Sequence, residues 1–316
     1  MTEENPLFIG VSQCLLGEEV RYDGGHKREE YLVNTLGQYV TFIPICPEVE
    51  AGFGVPREPL QLEGDPLNPQ VISHRTRRDL TKPLAEASAN LVSHLAKTPL
   101  HGLILKKNSP SCGLQRVRVY QNSSRPGGKG VGLFAHGLLN ALPLLPVEEE
   151  GGLKEPKGRE NFIEKVFVYH RWMALRGDPS AKGLVGFHAR HKFLIMAHSP
   201  VHMRRLGNLV GGMKKDQQPP WDEYGVVLME AMSRIATAKK QVDVIQHMMG
   251  FLKNKMATDE KAEMMALLAS YKEGQVPLLV PITLLNHYVR RYEVSYLSDQ
   301  WYLQPHPAEL ALRNHA

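Results

Sequence analysis

Short apolar runs, each closed by a polar turn, alternate with helix-spaced apolar positions through the first half of the chain. Leu7 to Val11, Tyr39 to Ile45 and Gly102 to Leu105 read as short buried strands, the β-branched and aromatic "YVTFIPI" most clearly. Between them, Glu29 to Leu36 and Leu84 to Ala96 carry apolar residues three and four apart, and Gly132 to Leu142 does the same before a short strand at Leu144 to Val147. This alternation predicts an α/β N-terminal domain, a Rossmann-like parallel sheet with helices. "PVEEEGGLKEPKG", Pro146 to Gly158, reads as a linker. Beyond it strand-like runs nearly vanish. Helical patterns over Arg159 to Leu175, Leu184 to His198, Tyr224 to Leu252, Asp259 to Tyr271 and Ile282 to Tyr296 predict an all-α C-terminal domain. The expected division is residues 1–150 and 151–316.

Composition narrows the class. Of 316 residues, 42% are hydrophobic and 22% charged, enough to bury a sizeable core. "MTEENP" lacks the basic and apolar regions of a secretory leader, and no apolar run reaches the length of a membrane span, so a cytoplasmic protein without a membrane partner is expected. The net charge of +5 is uneven: Gly151 to Lys215 holds 13 Lys and Arg against 4 Asp and Glu. That density suits a phosphate-backbone partner, although a solvated helical surface has the same composition.

The three cysteines follow the expected strands. Cys14 comes after the first, Cys46 ("PICPEVEAGFGVPREP") after the second and Cys112 ("LKKNSPSCGLQR") after the third. In an open α/β sheet the carboxyl edge is where distant residues converge into a site. Three thiolates suit zinc with an open position, or an iron–sulfur cluster with one iron lacking a protein ligand. The spacings match neither a zinc ribbon nor a ferredoxin run. A missing fourth cysteine points to catalysis rather than electron transfer. Glu48 and Ser109 lie two and three residues from Cys46 and Cys112, where a carboxylate can move protons; a loop carboxylate and a turn-capping serine are the plainer reading.

"VSxCLLGxxVRYDG", "CPExxxGxxxPRxP" and "NSPSCG" resemble the thiouracil desulfidase family, from about Ile9 to Leu142. The helical half, with "FHARHKFLIMAHSP" and "YLQPHPAELALRNH", resembles a second family found fused to the first, as in bacterial tRNA 4-thiouridine desulfidases. The resemblance implies a [4Fe-4S] cluster on Cys14, Cys46 and Cys112, with Glu48 and Ser109 as catalytic partners. It implies an open iron that binds the substrate's sulfur, water adding to the thiocarbonyl carbon, and sulfur leaving as hydrosulfide. The expected substrate partner is tRNA containing 4-thiouridine. Two other readings remain: a desulfidase of free thiouracil or thionucleosides, and a non-catalytic iron–sulfur redox sensor that binds RNA.

Outside these motifs, "RPGGKGVG" carries Lys129 and opens a helical pattern, so its amides are candidates to cradle a phosphate. His188, His191, His198 and His202 would share one helical face if the helix ran to the last of them, but Pro200 is expected to break it, and a packed or hydrogen-bonding role is favoured over metal ligation. Arg190, Lys192, Arg204 and Arg205 interleave with them as candidate RNA contacts.

Overall fold

A computed structural model of the chain describes residues 6–122, 125–214 and 217–314. They form two compact units, residues 1–154 and 155–316.

The first unit is built on a four-stranded parallel sheet. Its strands are β1 (Phe8–Ser12), β2 (Thr41–Ile45), β5 (Leu100–Leu105) and β8 (Val147–Glu149), in the order β2-β1-β5-β8. Every residue of β5 is buried, as a central strand covered on both faces requires. Gly10 lets the layers close over β1, because a Cβ there would stand 2.4 Å from Leu103 Cδ1 and 2.8 Å from Ile45 Cδ1. From β1 the chain crosses to β2 on one side and then returns past β1 to β5 on the other. The order therefore reverses between β1 and β5, and a crevice opens at their carboxyl ends.

A second sheet was not expected from the sequence. Strands β3 (Leu60–Asp65), β4 (Asn68–Ser73), β6 (Val117–Tyr120) and β7 (Pro126–Gly130) run in the order β4-β3-β6-β7, with β3–β4 and β6–β7 antiparallel and β3–β6 parallel. Leu62, Val71, Leu84, Val117 and Val119 form its core, with Leu84 supplied by α2 (Thr81–Leu95). Two further expectations need correction. Pro146 to Gly158 is not an open linker: Leu103↔Val147, Ile104↔Glu148 and Leu105↔Glu149 pair β8 with β5. "PGGKG", expected to lead into a helical pattern, is itself a strand. Pairing with β6 decides its conformation.

The second unit is helical, as expected: α4 (Pro156–Gly177), α5 (Ala181–His198), α6 (Pro200–Gly211), α7 (Trp221–Met232), α8 (Ala238–Leu252), α9 (Thr258–Lys272), α10 (Leu279–Arg291) and the short α11 (Ser295–Ser298). The expected helix from Tyr224 to Leu252 is two, because Thr237 caps α8 by accepting from Lys240 N. Likewise α10 stops at Arg291, and Glu293 takes a left-handed φ of 51° before α11. Ser199 ends α5 and starts α6, its hydroxyl accepting from His202 N at 3.4 Å with Pro200 in the first turn. Among the described residues no helix is long and apolar enough to cross a membrane.

Candidate functional site

The three cysteines meet at the crevice. Cys14 lies in a 3-10 turn directly after β1, Cys46 directly after β2 at the start of a one-turn helix (α1, Pro47–Glu50), and Cys112 in the loop after β5. All three line one cavity of about 230 Å³, together with Ser12, Glu48, Arg57, Lys106, Ser109 and Ser111. None is in a disulfide; Cys14 and Cys112 are buried and Cys46 half-buried. Burial pushes the Cys14 thiol up to about 11, with Cys46 adding and Lys106 and Arg21 opposing. Burial likewise pushes Cys112 up to about 12, helped by Glu48 and Cys46 and opposed by the Ser111 hydroxyl, and raises Cys46. Bare protons are thus held tightly, and a bound metal group must replace them.

The donor set fits a cluster held by cysteines: three thiols, one at each of three adjacent strand ends, line one cavity that has no imidazole among its lining residues.

Glu48 is held from both sides. Arg57 Nε and Nη2 donate to its Oε2 at 2.8 and 2.6 Å, while Ser111 Oγ donates to its Oε1 at 2.7 Å. Ser109 Oγ lies 2.9 Å from Ser111 Oγ and accepts from the Cys112 and Ser111 amides at 3.1 and 3.3 Å. Glu48 and Ser109 therefore belong to one network with Ser111 between them. Lys106, also lining the cavity, pairs with the buried Glu150, whose other oxygen accepts from Lys107 N at 2.7 Å. Arg57 and Ser111 were missed as site residues, although both stand inside the motifs "PRxP" and "NSPSCG". Glu150 carried no signal, because an acidic run reads as solvated surface until its strand is paired.

Lys129 reaches the neighbourhood by a different route from the one expected. The amides at the start of α3 (Leu133–Ala141) are not free for a phosphate: Gly132 N donates to Gly113 O, Leu133 N to Pro110 O and Phe134 N to Ser111 O, at 2.8, 3.1 and 3.0 Å. They brace the Cys112 loop instead. Lys129 stands on β7 opposite Arg118 on β6, and with Arg116 they line a groove of about 550 Å³ that has no carboxylate. The groove shares Leu60, Asn108 and Pro110 with the cysteine cavity.

The remaining candidates lie in the helical unit. Arg190, Arg204 and Arg205 are exposed, Arg205 pairing with Glu223 at 2.9 Å. The Lys192 ammonium is 4.9 Å from the Phe193 ring centre and 5.1 Å from that of Tyr296. The histidines are built into the packing: His188 meets Tyr224 Oη, His191 donates to Phe187 O, His198 meets Glu164 and His202 meets Ser199 Oγ.

Residues 9–150 match the model of the 2-thiouracil desulfurase family, and residues 192–307 that of a protein family of unknown function, DUF1722. The uncharacterized protein YbgA of Escherichia coli K12 is 28% identical over 158 residues, 49% of this chain and 94% of its own length. The uncharacterized protein YbbK of Bacillus subtilis 168 is 35% identical over 111 residues, 34% of this chain and 73% of its own length. Among solved structures, the [4Fe-4S]-dependent thiouracil desulfidase TudS is 28% identical, covering 48% of this chain and 94% of that one, with a TM-score of 0.39.

Proposed function

Because the chain belongs to the 2-thiouracil desulfurase family, with a DUF1722 region behind that domain, we propose that it is an iron–sulfur desulfidase that removes sulfur from 4-thiouridine in tRNA. The observation that carries this reading is the gathering of Cys14, Cys46 and Cys112 around the cavity that also holds Glu48. Cys14, Cys46 and Cys112 would hold a [4Fe-4S] cluster, and an iron with no protein ligand supplies Lewis acidity toward a soft thiocarbonyl sulfur. The protein supplies the rest. Glu48, fixed by Arg57 and Ser111, is placed to take a proton from the water that adds to the thiocarbonyl carbon. Ser109 adds a second polar contact on the same side of the cavity. The C–S bond then breaks, leaving the pyrimidine carbonyl and hydrosulfide, with no net electron transfer.

A polynucleotide rather than a free base is favoured by the groove of Arg116, Arg118 and Lys129 beside the cavity, and by the +9 stretch from Gly151 to Lys215. The deciding experiment incubates cluster-loaded protein anaerobically with thiolated tRNA and then analyses the nucleosides. Loss of 4-thiouridine with matching uridine and hydrosulfide is expected. Intact thiolated tRNA alongside desulfurised free nucleoside would move the substrate to the small molecule.

A further inference from the structure

The polar row along the cavity wall has a definite direction. The Arg57 guanidinium lands on Glu48 sideways, Nε and Nη2 both on Oε2, and its third nitrogen, Nη1, donates to Gly54 O at 2.9 Å. The Arg57 amide also donates to Tyr22 O at 2.8 Å, so both main chain and side chain of this residue are tied. Its side chain is 7% exposed and that of Glu48 12%, which makes the pair a desolvated one. With Oε2 taken, Oε1 is the oxygen left to the serines. An ionised carboxylate only accepts, so the Ser111 hydroxyl spends its one hydrogen on Oε1 at 2.7 Å. Ser111 Oγ must then accept from Ser109 Oγ at 2.9 Å, because its own hydrogen is committed. The competing contact of Ser111 Oγ with Cys112 Sγ is 3.6 Å, much the longer of the two. The row therefore runs Ser109 to Ser111 to Glu48, and Arg57 anchors its far end.

We propose that Arg57 and Ser111 are positioning residues of the reaction. Arg57 turns Glu48 so that Oε1 faces the serines, and Ser111 is the side chain that joins Ser109 to Glu48. The proposal rests on the desulfidase reading and deepens it. Two consequences distinguish it from a structural role. A guanidinium fork bound to one oxygen is a shape that lysine cannot copy, so charge alone does not replace Arg57. If Ser109 is oriented through Ser111, removing both serines costs no more than removing one.

The test compares Arg57→Ala, Arg57→Lys, Ser109→Ala, Ser111→Ala and Ser109→Ala/Ser111→Ala in cluster-loaded protein, reading iron content, visible absorption, kcat and KM on 4-thiouridine. Both Arg57 variants are expected to keep iron and absorption while kcat falls about a hundredfold with KM within about threefold. Added guanidinium chloride, at concentrations that leave the unsubstituted protein active, should restore kcat of Arg57→Ala at least about tenfold and leave Arg57→Lys unchanged. The double serine variant should match the single ones. The proposal is overturned if Arg57→Lys turns over normally, if either Arg57 variant loses iron in step with activity, or if the serine losses multiply. An unsubstituted, fully loaded protein inactive on every thiolated substrate would instead sink the desulfidase reading, an outcome separate from these.

Discussion

The cavity is a set of residues whose individual roles separate cleanly under substitution. Cys14, Cys46 and Cys112 each close a different strand end, so Cys→Ser at any of them should leave the α/β unit folded and remove bound iron, read by iron analysis and loss of visible absorption after anaerobic reconstitution. Glu48→Gln keeps the shape of the acceptor of Ser111 and removes its basicity. It should retain the cluster and slow turnover by roughly two orders of magnitude, the usual scale for one positioned proton transfer. Gly132 belongs to this scale too. A Cβ on it would stand 2.5 Å from Ser111 O and 2.9 Å from Cys112 N, both backbone atoms that cannot move aside cheaply. Gly132→Ala should therefore displace the Cys112 loop and lower cluster occupancy in reconstituted protein.

At the scale of elements, the helical unit is held by a buried ionic network drawn from distant segments. Arg313, near the end of the chain, donates to Glu164 on α4 at 2.7 Å, and His198 at the end of α5 meets the other Glu164 oxygen at 2.9 Å. Burial pushes the Glu164 carboxyl upward, but Arg313 and His198 outweigh it and hold it well below the ordinary carboxylate value. Arg313→Met takes the guanidinium from the buried Glu164 and from Glu160, and should cost about 3 to 5 kcal/mol in denaturant unfolding. The histidines set the acid limit. Burial holds His191 well below its usual 6.5, with Arg171 adding, and burial likewise lowers His188 and His306. A base whose folded pKa is depressed binds its proton first in the unfolded state. Stability is therefore complete above pH 6.5 and falls as pH drops below it. The expected slope is up to ~1.4 kcal/mol per pH unit for each such histidine, and His191→Leu should remove one histidine's share of it in unfolding curves between pH 7 and 5.

For the whole molecule, the proposed tRNA substrate predicts electrostatic contacts, and basic residues available for them lie in both units. Reversing exposed Arg190 and Arg204 should weaken tRNA binding and flatten its salt dependence while leaving turnover of free 4-thiouridine unchanged. Equal losses on both substrates would assign these arginines to the fold. The sequence by itself determined the two-part architecture, because strand and helix periods are local properties of burial: a five-residue apolar run and a three–four spacing need no partner to be seen. It also marked the three cysteines, since each lies in the turn or loop that follows an apolar run. It marked a short strand at Leu144 to Val147, which the structure places slightly later as β8 (Val147–Glu149), but it could not place β7, whose glycine-rich residues become a strand only through pairing with β6. Nor could it show that the amides of Gly132, Leu133 and Phe134 are used by the Cys112 loop, or that Ser111 joins Glu48 to a serine 61 positions away. Those are contacts across long separations, set by the order in which the strands lie side by side, and tertiary structure alone decides that order.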